Sequence, residues 1–147
     1  SFSHKLAGSW LIEQKNFNNI DNPADFTELS STLYYPRVRM TSTLAWQTPH
    51  EPVRITWTAD WQTAQDIVQA RDFISNSDQR EAKYMDTENF MRNDISVRYQ
   101  VRDDVTVTGT VQNVFDAEQA RWLGASLYSN FDPFGRRFSV SVNYRPW

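Results

Sequence analysis

Arg37-Val-Arg-Met-Thr-Ser-Thr-Leu-Ala-Trp-Gln-Thr-Pro-His-Glu-Pro-Val-Arg-Ile-Thr-Trp-Thr-Ala-Asp-Trp-Gln62 is the stretch whose period decides the fold. Val38, Met40, Ser42, Leu44 and Trp46 alternate with Arg37, Arg39, Thr41, Thr43 and Gln47. After Thr48-Pro49-His50-Glu51-Pro52, Val53, Ile55, Trp57, Ala59 and Trp61 alternate with Arg54, Thr56, Thr58, Asp60 and Gln62. A period of two with one oily and one wet side is that of β-strands. The intervening prolines cannot donate to a ladder and so mark a tight turn. The stretch predicts a hairpin.

The same period runs outward in both directions. Upstream, Phe2, His4, Leu6, Gly8, Trp10 and Ile12 alternate with Ser3, Lys5, Ala7, Ser9 and Leu11. Downstream, Ile95, Val97, Tyr99 and Val101 face Asp94, Ser96, Arg98 and Gln100. A turn at Arg102-Asp103-Asp104 then leads into Val105, Val107, Gly109 and Val111 against Thr106, Thr108, Thr110 and Gln112. The last segment sets Phe138, Val140, Val142 and Tyr144 against Arg137, Ser139, Ser141, Asn143 and Arg145. About six strands of about ten residues result, the length a tilted strand needs to cross a bilayer.

Connections near 48–52 and 102–104 are short, whereas those near 16–33, 63–93 and 117–134 are long. Strict alternation of the two kinds puts all short turns on one side, as outer-membrane barrels place periplasmic turns opposite extracellular loops. On this register Trp46, Tyr99 and Tyr144 fall near the periplasmic ends, and Trp10, Trp61 and Tyr35 near the outer ends. Two aromatic girdles at the interfaces are what a membrane barrel requires. Arg37, Arg39, Arg54, Asp60, Arg98 and Arg137 then line the lumen, while Ile55, Trp57 and Val97 face lipid. The expected fold class is all-β, an antiparallel transmembrane barrel segment. A soluble antiparallel sandwich or lipocalin-like barrel alternates in the same way and is the competing architecture.

Composition is compatible with this reading without demanding it. The chain is 39% hydrophobic and 22% charged, and has no stretch apolar enough for a transmembrane helix. Six Trp, six Tyr and nine Phe are a heavy aromatic load that suits amphipathic interfaces. The absence of cysteine excludes disulfides and thiolate chemistry, and a net charge of -3 with interspersed signs argues against a nucleic-acid partner. Ser-Phe-Ser-His-Lys at the start shows neither an initiator Met nor a signal peptide, which reads as a processed or partial chain.

Two stretches carry a family resemblance. Asp94-Ile-Ser-Val-Arg-Tyr-Gln-Val-Arg-Asp-Asp-Val-Thr-Val-Thr-Gly-Thr-Val-Gln-Asn-Val-Phe-Asp116 resembles the penultimate hairpin of TonB-dependent receptors, which exits through an Asn-x-Phe-Asp signature, here Asn113, Val114, Phe115 and Asp116. Asn130-Phe-Asp-Pro-Phe-Gly-Arg-Arg-Phe138 is similar to the family's loop into its final strand. Physically, Asn113 and Asp116 at a strand exit can bond backbone groups, Gly135 relieves crowding, and Arg136 can pair with a carboxylate such as Asp132. A structural role is thus expected for this set. Trp147 departs from the pattern, because terminal aromatics of outer-membrane strands continue the outward alternation and Trp147 is odd where Tyr144 is even. A bulge at Pro146 would restore it.

The resemblance implies a barrel of about 22 strands, of which this chain supplies part. A curved sheet of six strands would leave two edges unsatisfied in hydrocarbon, at several kcal/mol per backbone group, so a partner is expected on both. That partner is the missing N-terminal part of the barrel with its plug, through which TonB acts. Outer-membrane lipid and a small-molecule or glycan ligand complete the set. The implied function is TonB-dependent uptake of a siderophore-bound iron, cobalamin or glycan across the bacterial outer membrane. A passive pore or adhesin, or a soluble binding module, is the alternative.

Catalytic chemistry is not expected. His4 and His50 are isolated, Asp86, Glu88 and Asp103-Asp104 read as solvated loop carboxylates, and no phosphate loop or hydrolase motif occurs. Neither metal nor cofactor is implied. Function is expected in the long loops, where Tyr84, Phe90, Trp122, Tyr128 and Phe131 are candidates for a substrate-facing aromatic surface. Packing of the loops on one another is the plainer alternative for each. Ile67, Val68, Ala70, Phe73 and Ile74 suggest a short helix with Asp66, Arg71 and Asp72 exposed.

Overall fold

A computed structural model describes residues 1–32, 35–49, 51–66, 87–118 and 134–146. It is all-β and antiparallel, with no helix among the described residues, and hence none there long and apolar enough to cross a membrane. Eight strands form among the described residues: β1 Phe2–Trp10, β2 Lys15–Phe17, β3 Phe26–Glu28, β4 Val38–Gln47, β5 Val53–Gln62, β6 Phe90–Arg102, β7 Val105–Gln112 and β8 Arg137–Tyr144. Six of them make one sheet in the order β1-β4-β5-β6-β7-β8, and β2 pairs with β3 apart from it. The sheet is open: β1 and β8 are its two edges and do not pair with each other.

Register follows the alternation read from the sequence. Phe2 lies opposite Trp46, Trp46 opposite Ile55, Ile55 opposite Val97, Val97 opposite Gly109 and Gly109 opposite Val140. Directly paired residues of an antiparallel ladder project from the same face, so this row fixes one apolar face across all six strands. The intervening rows carry Arg39, Thr41, Thr58, Asp60, Asp94, Arg98, Thr108 and Ser141 and make the other face polar.

Almost nothing is buried between the faces. Besides Pro36, the buried apolar residues among those described are Ala45 and Ala59. The oily face is bare instead, with Trp10 72%, Phe138 74%, Val140 76% and Val142 66% exposed. Cohesion therefore comes from the ladders and cross-strand pairs rather than from an interior.

The structure departs from the expected strand bounds in three places. β6 begins at Phe90, four residues earlier than the alternation suggested, so the second long connection ends sooner than residue 93. The pattern hid this because Asn93 occupies an apolar-face position, opposite Ala59. β1 stops at Trp10 and leaves Ile12 outside the ladder. The first long connection is not unstructured, since β2 and β3 form a small hairpin in it, with Phe17 edge-on to Phe26 at 6.2 Å between ring centroids.

Candidate functional site

The apolar face carries a few polar side chains, and these satisfy one another. His4 Nε2 lies 3.0 Å from Ser42 Oγ, and Trp57 Nε1 donates to Asn93 Oδ1 at 3.1 Å. Both bonds run diagonally between neighbouring strands on a face otherwise made of Leu6, Leu44, Ile55, Ile95, Val97 and their like. Pairing of this kind lowers the cost of holding polar groups away from water.

Large aromatics mark both ends of that face. Trp46, Tyr99 and Tyr144 stand toward the short connections, with Val53 opposite Tyr99 and Val105 opposite Tyr144. Trp10 lies opposite Val38, and Trp61 opposite both Met40 and Met91, toward the long connections. Tyr35 sits outside the strands, its amide bonded to the Thr32 carbonyl at 3.0 Å.

Arg39, Arg54, Asp60, Arg98 and Arg137 share the polar face. Arg37 lies just before β4, exposed, its carbonyl accepting the Leu11 amide at 2.8 Å. Arg54 and Arg98 are directly opposite each other near the short connections. There Arg102 also grips Asp104 at 2.6 Å, a bond that holds the Asp104 carboxyl below its ordinary range.

Toward the long connections, two rows of the polar face frame a depression of about 180 Å³. In the first row Thr41, Asp60 and Arg92 lie side by side on β4, β5 and β6. Thr41 Oγ1 donates to Asp60 Oδ1 at 2.7 Å, and Arg92 reaches Asp60 Oδ2 at 3.4 Å. The second row sets Arg39, Gln62 and Phe90 across the same strands. Phe90, expected in a loop, is thus a strand residue that stands with the polar-face set. Gln62 is a polar-face strand residue in the alternation and Arg92 falls within the expected connection 63–93; the alternation does not show that they meet Arg39 and Asp60.

The Asn113–Asp116 segment is a backbone clamp. Asn113 and Asp116 adopt left-handed φ values of 52° and 54°, a region their side chains tolerate. The Asn113 amide group donates to the Ala117 carbonyl at 3.0 Å and accepts the Ala117 amide at 2.8 Å, while the Asn113 amide itself goes to Asp94 Oδ1 at 2.9 Å. Asp116 Oδ1 accepts the Arg136 amide at 2.7 Å, fastening the exit of β7 to the entry of β8. A Cβ on Gly135 would come within 2.8 Å of that same oxygen, so the glycine is needed for close approach. Phe115 is left 71% exposed, and the Phe134 ring lies under the Arg137 guanidinium at 5.3 Å.

Compared with protein-family models, curated proteins and solved structures, the chain finds no match. Of the loop aromatics, Tyr84, Trp122, Tyr128 and Phe131 lie outside the described residues, as do Asp132, His50, Trp147 and the helix expected over 67–74. Asp66 is described: it is exposed, and its amide bonds the Ser31 carbonyl at 2.6 Å.

Proposed function

We propose that this chain is part of the wall of an outer-membrane β-barrel, and that the barrel takes up a scarce extracellular ligand in the TonB-dependent manner. The observation that carries the membrane reading is the bare apolar face backed by a polar one. Strand dimensions of about 3.3 Å per residue and about 4.8 Å between strands give that face an extent of roughly 30 Å by 24 Å. Soluble monomers seldom leave apolar patches above a few hundred Å² uncovered. A ten-residue strand such as β4 or β5, tilted by about 40°, spans about 25 Å of depth, which matches the apolar band of such barrels.

On this reading the short connections are periplasmic, the aromatic rows sit at the two interfaces, and the polar face lines a lumen. The backbone edges of β1 and β8 need partners in hydrocarbon, and further strands of the barrel supply them. The TonB-dependent part rests on the resemblance of 94–116 and 130–138 to that family. The plug that TonB pulls belongs to the remainder of the barrel, and the ligand is a siderophore-bound iron, cobalamin or glycan.

Spin labels placed singly at positions 57, 97, 39 and 54 in protein reconstituted into vesicles test the membrane reading. Lipid-soluble oxygen is expected to relax labels at 57 and 97, and a water-soluble paramagnet those at 39 and 54. The reverse pattern, or a monodisperse water-soluble monomer without detergent, overturns it. Energised uptake tests the rest: collapse of the proton-motive force should abolish uptake, whereas persistent passage identifies a passive pore.

A further inference from the structure

We propose that the depression framed by Arg39, Gln62 and Phe90 is a binding subsite for a small molecule bearing a carboxylate. The two rows that line it differ in what they leave unmet. In the Thr41–Asp60–Arg92 row, one oxygen of Asp60 takes the threonine hydroxyl and the other takes the arginine, so this carboxylate is satisfied where it stands. Arg92 is further drawn to Asp94, its Nε 3.4 Å from Asp94 Oδ1. The neighbouring row has no such closure. Gln62 is 5% exposed and its amide Nε2, a donor, has no partner. Arg39, directly opposite Gln62, is exposed at the mouth and is in no ion pair among the described residues.

A buried amide donor beside an uncompensated guanidinium selects for acceptor oxygens carrying negative charge. A carboxylate meets both, taking the planar fork of the guanidinium on one side and, once a turn of the Gln62 side chain brings the covered Nε2 to the surface of the depression, the amide on the other. Phe90, half-buried on the same row, offers an apolar wall to the body of the ligand. Asp60 presents no free oxygen to such a ligand, since Thr41 and Arg92 take both, and with Arg92 shared between Asp60 and Asp94 the attracting charge at the mouth is that of Arg39. The site lies toward the long connections, on the face read above as a channel wall. It therefore rests on that reading for its place in uptake, though its binding chemistry is testable by itself.

The experiment titrates the full protein in detergent with sodium glucuronate, glucose and inorganic phosphate, followed by calorimetry. Glucuronate is expected to bind at least about tenfold more tightly than glucose, the scale of one charge-assisted hydrogen bond. Arg39→Gln should remove that preference, Arg39→Lys should keep part of it, and Arg54→Gln, toward the other end of the same face, should leave it intact. Equal binding of glucuronate and glucose, or no binding of either, overturns the proposal. Equal loss in Arg39→Gln and Arg54→Gln overturns the location, and phosphate binding as tight as glucuronate overturns the carboxylate assignment. The spin-label pattern at positions 57 and 97 is independent of all these outcomes, so failure here is distinguishable from failure of the membrane reading.

Discussion

Trp57 and Asn93 meet through an indole-to-amide hydrogen bond of 3.1 Å on the apolar face, with Asn93 6% exposed. Neither group has water-accessible alternatives if that face meets hydrocarbon, so each is the other's solvation. Asn93→Leu should then cost about 1–3 kcal/mol by stranding the indole N–H. Trp57→Phe should cost a similar amount by stranding the amide. The double variant should recover part of the loss, and urea unfolding in vesicles measures the cycle. Strict additivity would show that the bond contributes nothing.

Charge placement separates the two faces more sharply. Ile95→Arg, on the apolar face midway between the Tyr99 and Met91 levels of β6, should cost about 2–4 kcal/mol in a bilayer. Thr56→Arg, on the polar face of β5, should stay within about 0.5 kcal/mol. Comparable costs for the two would contradict the assignment of faces.

The clamp between the β7 exit and the β8 entry makes a local prediction. Gly135→Ala should push the Asp116 carboxylate off the Arg136 amide and cost about 1 kcal/mol, the worth of one hydrogen bond. Asp116→Ala should cost the same, and adding Gly135→Ala to it should cost little more. Faster hydrogen exchange at the Arg136 amide in both single variants is the readout.

In the β2–β3 hairpin, Glu28 accepts the Ser30 hydroxyl at 2.5 Å, the Ser30 amide at 2.9 Å and the Gln14 amide at 3.1 Å. These bonds, those from Ser30 foremost, lower its carboxyl from 4.5 to about 2. A carboxylate depressed on folding stabilises above its unfolded value and loses that contribution as pH falls. The hairpin should therefore hold above about pH 4.5 and loosen progressively toward pH 2. Ser30→Ala should move the Glu28 titration, followed by carbon NMR, back up toward 4.5. An unmoved midpoint would remove Ser30 as the cause.

The large sheet was legible because alternation carries its information locally: Val38 through Gln62 declares both faces and the turn without any other part of the chain. Legibility failed where a residue answers to a distant partner. Asn93 breaks the alternation of β6 because it serves Trp57 on the neighbouring strand, and the early start of that strand was lost with it. The β2–β3 hairpin has three-residue strands, too short to show a period, and is held by side chains such as Asn18 on Asp25. Asp116 and Gly135 were each recognisable as special, but their contact is a matter of three-dimensional approach that spacing does not encode.

Among the described residues the buried apolar side chains are two alanines of the sheet and a proline outside it, so the sheet has no jigsaw to protect. A Cβ added at Gly109 would touch nothing within 4 Å. Bulk at the outward-projecting positions of the oily face, such as Phe138, Val140 and Val142, is thus nearly free to vary, because swelling or shrinking an exposed side chain there opens no void and forces no clash, whereas Ala59 on the same face is enclosed. What selection can police on such a surface is polarity. Homologous chains should accordingly drift in side-chain size at these positions while holding their hydrophobicity, the opposite of what a close-packed core enforces.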